Sequence, residues 1–109
     1  MGVGDQSLVE LVRRIVSENP EGRVAGADNA SDWSSLYDQQ EADVVVGLLA
    51  VMAALEGEAE IRENQLHAII SISESATVKG ELLSPLRRLI RTALDDEQLD
   101  YLDDLGIQL

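Results

Sequence analysis

Apolar residues recur at helical spacing along most of this chain. Leu8, Val9, Leu11, Val12, Ile15 and Val16 mark a first amphipathic helix with Glu10, Arg13 and Arg14 between them, and Asp5 or Ser7 is placed to cap it. Asn19-Pro20-Glu21-Gly22 ends that helix, and residues 20–31, rich in Gly, Ala, Asn and Asp, read as an irregular surface loop. A second helix is expected from about residues 31–35 through Leu36, Tyr37 and the run Val44–Leu55, closing near Gly57. It is apolar on all sides, so it reads as the central, covered helix, with Gly47 allowing a close crossing. Residues 58–75 form a third, with Leu66, Ile69, Ile70 and Ser73 inward, broken by Thr77-Val78-Lys79-Gly80. A fourth is expected over residues 81–93. Ser84-Pro85 would open it, Leu86, Leu89 and Ile90 would face inward, and Arg87, Arg88 and Arg91 would face outward to pair with nearby acids. Asp95 opens a last helix with Gln98 as a capping-box variant. Leu99, Leu102 and Leu105 form its apolar side, and Gly106 ends it. The fold class that follows is all-α, an irregular bundle of four to five helices in one domain over residues 1–109.

Charge narrows the function. The 109 residues hold 21 acidic and 8 basic side chains, a formal charge of −13. At 45% apolar the chain has enough core for a folded domain, which separates it from disordered acidic tails. Nucleic acid is an unsuitable partner, because phosphate binding needs a basic surface. Without cysteine there is no disulfide framework. Val44–Leu55 is too short for a membrane span of about 20 residues, and the first residues lack a basic, apolar secretory leader. The expected setting is the cytoplasm, with no membrane partner.

The chemistry-bearing residues are few. His67 is the sole histidine, and no Ser-centred elbow or glycine-rich phosphate loop accompanies it. Glu63 and His67 lie four apart on one helix face, but one such pair does not complete a metal site. An acyl-carrier reading fails, because Gln6-Ser7-Leu8 and Ser34-Ser35-Leu36 both lack the Asp-Ser-Leu motif. The expectation is a non-enzyme with no catalytic residue, no metal and no cofactor.

The acids themselves are the most specific feature. Nine acids and one base, Arg62, fall between Asp28 and Glu63. Within that stretch Trp33 and Tyr37, four apart and rimmed by Asp32, Asp38 and Glu41, have the composition of an aromatic anchor in an acidic setting. That gives a first candidate partner-binding set: Asp32, Trp33, Tyr37, Asp38 and Glu41. A second is the ridge Asp96, Asp100, Asp103 and Asp104, whose spacing places all four on one helix face. The plainer reading of Trp33 is a ring that covers the end of the core and anchors the loop, and either set of acids also serves as a plain solubilising surface.

The second half carries a resemblance. Glu63-Asn64-Gln65-Leu66-His67-Ala68-Ile69-Ile70, Ser84-Pro85-Leu86-Arg87-Arg88-Leu89 and Asp100-Tyr101-Leu102-Asp103-Asp104-Leu105 resemble small acidic helical immunity proteins of bacterial polymorphic toxin systems, of the contact-dependent inhibition and Rhs types. The resemblance implies a protein that binds a cognate toxin domain with a basic active-site surface and neutralises it without catalysis. The alternative is an acidic adaptor, or a nucleic-acid mimic, that binds a basic protein unrelated to toxins. Oligomeric state stays open, because a helix as apolar as Val44–Leu55 suits burial in a monomer or in a dimer.

Overall fold

The computed structural model describes residues 2–109, and every element among them is helical. Five α-helices run in order: α1 (Asp5–Ile15), α2 (Pro20–Asp32), α3 (Gln39–Leu55), α4 (Ala59–Ser73) and α5 (Asp96–Asp104). Two 3-10 segments, Gly80–Arg88 and Arg91–Ala93, join α4 to α5. The all-α bundle expected from the periodicity is what forms. α3 is its hub, packed against α4, α1 and the first 3-10 segment, while α2 lies across α1 and α4. Leu49, Leu66, Ile69, Ile72, Leu86 and Leu102 are among the largest side chains in the single core, which uses aliphatic residues throughout.

Residues 20–31 are the main correction, because they form α2 and not a surface loop. The Asn19-Pro20 pair that stops α1 also starts α2. The Asn19 side chain accepts from Glu21 N–H at 2.9 Å, and Pro20 occupies the first turn, where a missing N–H costs nothing. The small residues are there for close packing. A Cβ on Gly26 would lie 2.5 Å from the Ile15 nitrogen and 2.7 Å from the Arg14 carbonyl carbon, both backbone atoms of α1. Ala27 and Ala30 are buried on the same helix. Gly26→Ala therefore forces α1 and α2 apart, and a loss of about 2 kcal/mol in urea unfolding is expected. Gly47 has no such role, since a Cβ there meets only Leu82 Cδ2, at an ordinary 3.6 Å.

The central helix also starts later than the sequence suggests. α2 ends at Asp32, a connection covers residues 33–38, and α3 begins at Gln39. Asp38 and Glu41 set that boundary through a capping box. The Asp38 carboxylate accepts from Glu41 N–H at 2.8 Å, and Glu41 Oε1 accepts from Asp38 N–H at 3.0 Å. Neither Asp5 nor Ser7 caps α1. Its N-cap is Gly4, at φ +90°, and the Glu41 carboxylate reaches over to accept from Val3 and Gly4 N–H, each at 3.0 Å.

Where an α-helix was expected over residues 81–93, the backbone winds as 3-10 helix. Pro85 lies inside the first segment rather than at its start. An α-turn there would need the N–H that proline lacks and would press its ring on the carbonyl four residues back. The tighter winding changes which residues share a face, because side chains three apart eclipse. Leu83 and Leu86 are buried with Leu89 packed beside them, whereas Ile90 is 68% exposed rather than inward. At the far end α5 closes as expected at Gly106, φ +78°. Ile107 N–H donates to Leu102 O at 2.8 Å and Gly106 N–H to Asp103 O at 2.9 Å, the paired bonds of a Schellman motif.

Candidate functional site

The residues of the first candidate set do not lie on one helix face. Trp33 is the C-cap of α2 and Tyr37 lies in the connection, so the two do not share a helix. Both rings are half-buried against the core. The Tyr37 hydroxyl donates to Ala30 O at 2.9 Å, which ties the connection back to α2. Burial, and then the charge of Glu41, push this phenol's pKa above its usual range. Asp38 caps α3, and Glu41 is buried at 7% exposure, engaged with three backbone amides. Only Asp32 of the five is exposed. These side chains fasten the chain's N-terminal end to the α2–α3 connection. The signal for this was in the sequence: Asp38-Gln39-Gln40-Glu41 has the spacing of a capping box.

The second set is arranged as its spacing predicts. Asp96, Asp100, Asp103 and Asp104 are all exposed along α5. None of them is among the ion pairs of the described residues, which are Arg23 with Glu56 and Glu58, and Lys79 with Asp43. Asp95 accepts from Gln98 N–H at 2.8 Å and so holds the start of the helix. Beside the ridge lies a depression of about 330 Å³. It is lined by the charged Arg91, Asp100 and Asp103, by Gln108, and by Leu99, Leu102, Ile107 and Leu109.

Sequence reasoning missed the extension of this face onto α4. The Glu63 carboxyl on α4 lies beside the Glu97 carboxyl on α5. That contact, together with burial and the charges of Asp95 and Glu60, raises the Glu63 pKa. Tyr101 donates to Glu97 Oε1 at 3.3 Å and packs edge-on to His67, ring centroids 6.2 Å apart. His67 is exposed. No spacing rule could reveal the pair, since residues 63 and 97 meet only through packing of α4 on α5. Arg62 does not dilute this face. It is buried at 8% exposure, donating to Glu56 O at 2.7 Å and, more weakly, to Gln98 Oε1 at 3.4 Å. Arg87, Arg88 and Arg91 are exposed and are not in the ion pairs given above, against the expectation that they would meet nearby acids.

The acid titrations oppose one another. Hydrogen bonding to Asp38 N–H, with burial opposing it and the Val3 and Gly4 amides adding to it, holds Glu41 below the usual carboxylate range. Burial alone would raise Glu56, but the Arg23 guanidinium, the Glu58 amide and Gln65 outweigh it and lower that group too. A lowered folded value means stability that is full above the ordinary 4.5 and lost as pH falls through the folded value. Glu63 is raised, so the folded state gains as this group takes up a proton on the way down from neutrality. Unfolding free energy is therefore expected to rise as pH falls from neutrality toward the ordinary carboxylate value of 4.5 and to fall again below it. Urea titrations across that range check it, and a steady decline from pH 7 downward contradicts it.

Among the described residues no group of three or more His, Cys, Asp or Glu side chains is placed to hold a metal ion, and no helix is long and apolar enough to cross a membrane. Comparison with protein-family models, with curated proteins and with solved structures finds no match for this chain.

Proposed function

We propose that this chain is a non-catalytic binding protein whose α4–α5 face docks on a basic protein surface, in the manner of an immunity protein that neutralises a cognate toxin domain. The observation that carries the reading is the acid concentration left unneutralised there. Residues 95–104 contain six acids and no base, and Glu63 from α4 adds a carboxyl beside Glu97, a neighbour that raises its pKa. Like charges brought together in this way oppose folding. A basic partner relieves that repulsion on contact and is steered toward the face before contact.

The toxin-directed form of the proposal rests on the resemblance of residues 63–70, 84–89 and 100–105 to immunity proteins, and on the opposite charge of the acid ridge and a basic active-site surface. The adaptor reading needs the same face and a different partner. Coexpression with the product of the adjacent gene separates them. An immunity protein restores growth to cells producing an otherwise toxic neighbour and forms a stoichiometric complex with it. A neighbour that is neither toxic nor bound counts against the toxin-directed reading and leaves the adaptor.

A further inference from the structure

α5 has the weakest seat of the five helices. It is nine residues long, and an isolated helix needs about 12–15 residues to hold in water, so α5 depends on what it packs against. Among the described helices that support is α4. Leu102 and Ile107 are buried and fasten it, and the buried Gln98 donates to Ala59 O at 2.9 Å. The rest of the seam is poorly matched. The Glu97 carboxyl lies beside that of Glu63, and the charges of Asp95 and Glu60 add to the crowding that raises Glu63. The base in the seam, Arg62, is turned inward. Its Nη2 donates to Glu56 O, its Nη1 reaches Gln98 Oε1 only at 3.4 Å, and its buried Nε has no partner among the described residues. Opening the seam separates the like charges and gives Arg62 Nε a water, and both changes oppose the closed state.

The chain that leads into α5 is free to swing. Leu89, Ile90, Leu94 and Asp95 have extended backbone, with one short 3-10 turn, Arg91–Ala93, between them. Residues 90–93 are all exposed. The first 3-10 segment, by contrast, is fixed to α3 and buries Leu83 and Leu86. From this geometry we infer that α5 is a hinged flap. Residues 96–107 lift from α4 and unwind as one unit, turning about residues 89–95, while α1 to α4 and the first 3-10 segment stay folded. The flap carries the acids of the ridge. The inference rests on the seam beneath it and not on the docking reading, so either can fail without the other.

Amide hydrogen exchange of the full chain, read residue by residue by NMR in urea from zero to about 1 M, tests it. Leu99 N–H donates to Asp95 O, Leu105 N–H to Tyr101 O and Ile107 N–H to Leu102 O, so all three report the closed flap. They are expected to share one protection, about a hundredfold below that of Leu49 and Ile69 in the core, with little dependence on urea because the opening exposes little surface. Glu63→Gln removes one of the crowded charges and should raise the shared protection several-fold. Gly26→Ala weakens the α1–α2 contact equally in the closed and the open flap. It should lower the protection of Leu49 and Ile69 about thirtyfold and leave that of Leu99, Leu105 and Ile107 unchanged. Flap amides that match the core in protection and urea dependence, or that fall with it in Gly26→Ala, overturn the inference. So does a protection that declines steadily from Leu99 to Ile107, which is fraying of a chain end. A Glu63→Gln variant with unchanged flap protection overturns the part assigned to charge.

Discussion

Glu56→Ala is expected to lower the unfolding free energy by about 3 kcal/mol, a substantial part of what a domain of this size possesses. The side chain of Glu56 is 2% exposed and lies at the turn between α3 and α4. Its carboxylate receives Arg23 Nε at 2.7 Å and Nη2 at 3.1 Å, and Gln65 Nε2 at 3.0 Å. Arg23 also reaches from α2 to Ser17 O and Glu18 O at the end of α1. Around the same turn Arg62 donates to Glu56 O, and Gln98 of α5 donates to Ala59 O at 2.9 Å. Ends of all five helices thus meet in one polar knot. Removing the carboxylate leaves a nearly buried guanidinium and a buried amide without their acceptor, and an unpaired buried charge costs more than the ion pair contributes. The knot has little slack, since Arg62 Nε and Gln65 Oε1 already lack partners. Glu56→Gln keeps the shape and one acceptor oxygen and should lose less. Urea denaturation of both variants at neutral pH measures the difference, and a Glu56→Gln variant as stable as the parent would show that charge pairing is not what holds the turn.

Reversing Asp96, Asp100 and Asp103 together to lysine should slow association with the basic partner by about tenfold to a hundredfold, with most of the loss in the on-rate. These carboxylates are exposed, and their contribution to the fold is small. Their field acts at a distance, so raising salt from about 0.05 to about 0.5 M should reproduce much of the effect in the unaltered chain. Reversing Asp32 should do little, because it stands alone at the end of α2 with its former companions engaged inside the fold. Stopped-flow association with the neighbouring gene's product measures each rate. An on-rate that ignores both salt and the α5 reversals refutes the electrostatic part of the account.

The sequence made some of this visible and hid the rest, for physical reasons. α1, α4 and α5 each bury a stripe against a solvated face, and the long apolar α3 has no other good conformation, so periodicity finds all four. Hydrophobic patterning cannot find α2. Its inward face is Gly26, Ala27 and Ala30, chosen for close approach to α1, and in sequence such residues look like a loop. Pro85 signals a break in α-winding but not what replaces it, and Ile90 was misplaced because a period of 3.6 was applied where 3.0 holds. The α5 ridge was legible because one helix sets all four positions. The capping role of Glu41 was not separable from a binding role in sequence, because a capping acid and a binding acid have the same letter. The Glu63–Glu97 pair and the knot around Glu56 join residues from different helices, and such pairs exist only once the fold does.

The central claim is that the acids of α4 and α5 form the docking face. Backbone amide chemical shifts of the labelled chain, recorded free and saturated with the neighbouring gene's product, test it most directly. The account predicts that the largest perturbations fall on Glu63, Glu97 and the run Asp96–Asp104, with residues 32–41 nearly unchanged. Perturbations confined to residues 32–41 or to α3, with α5 silent, would contradict it.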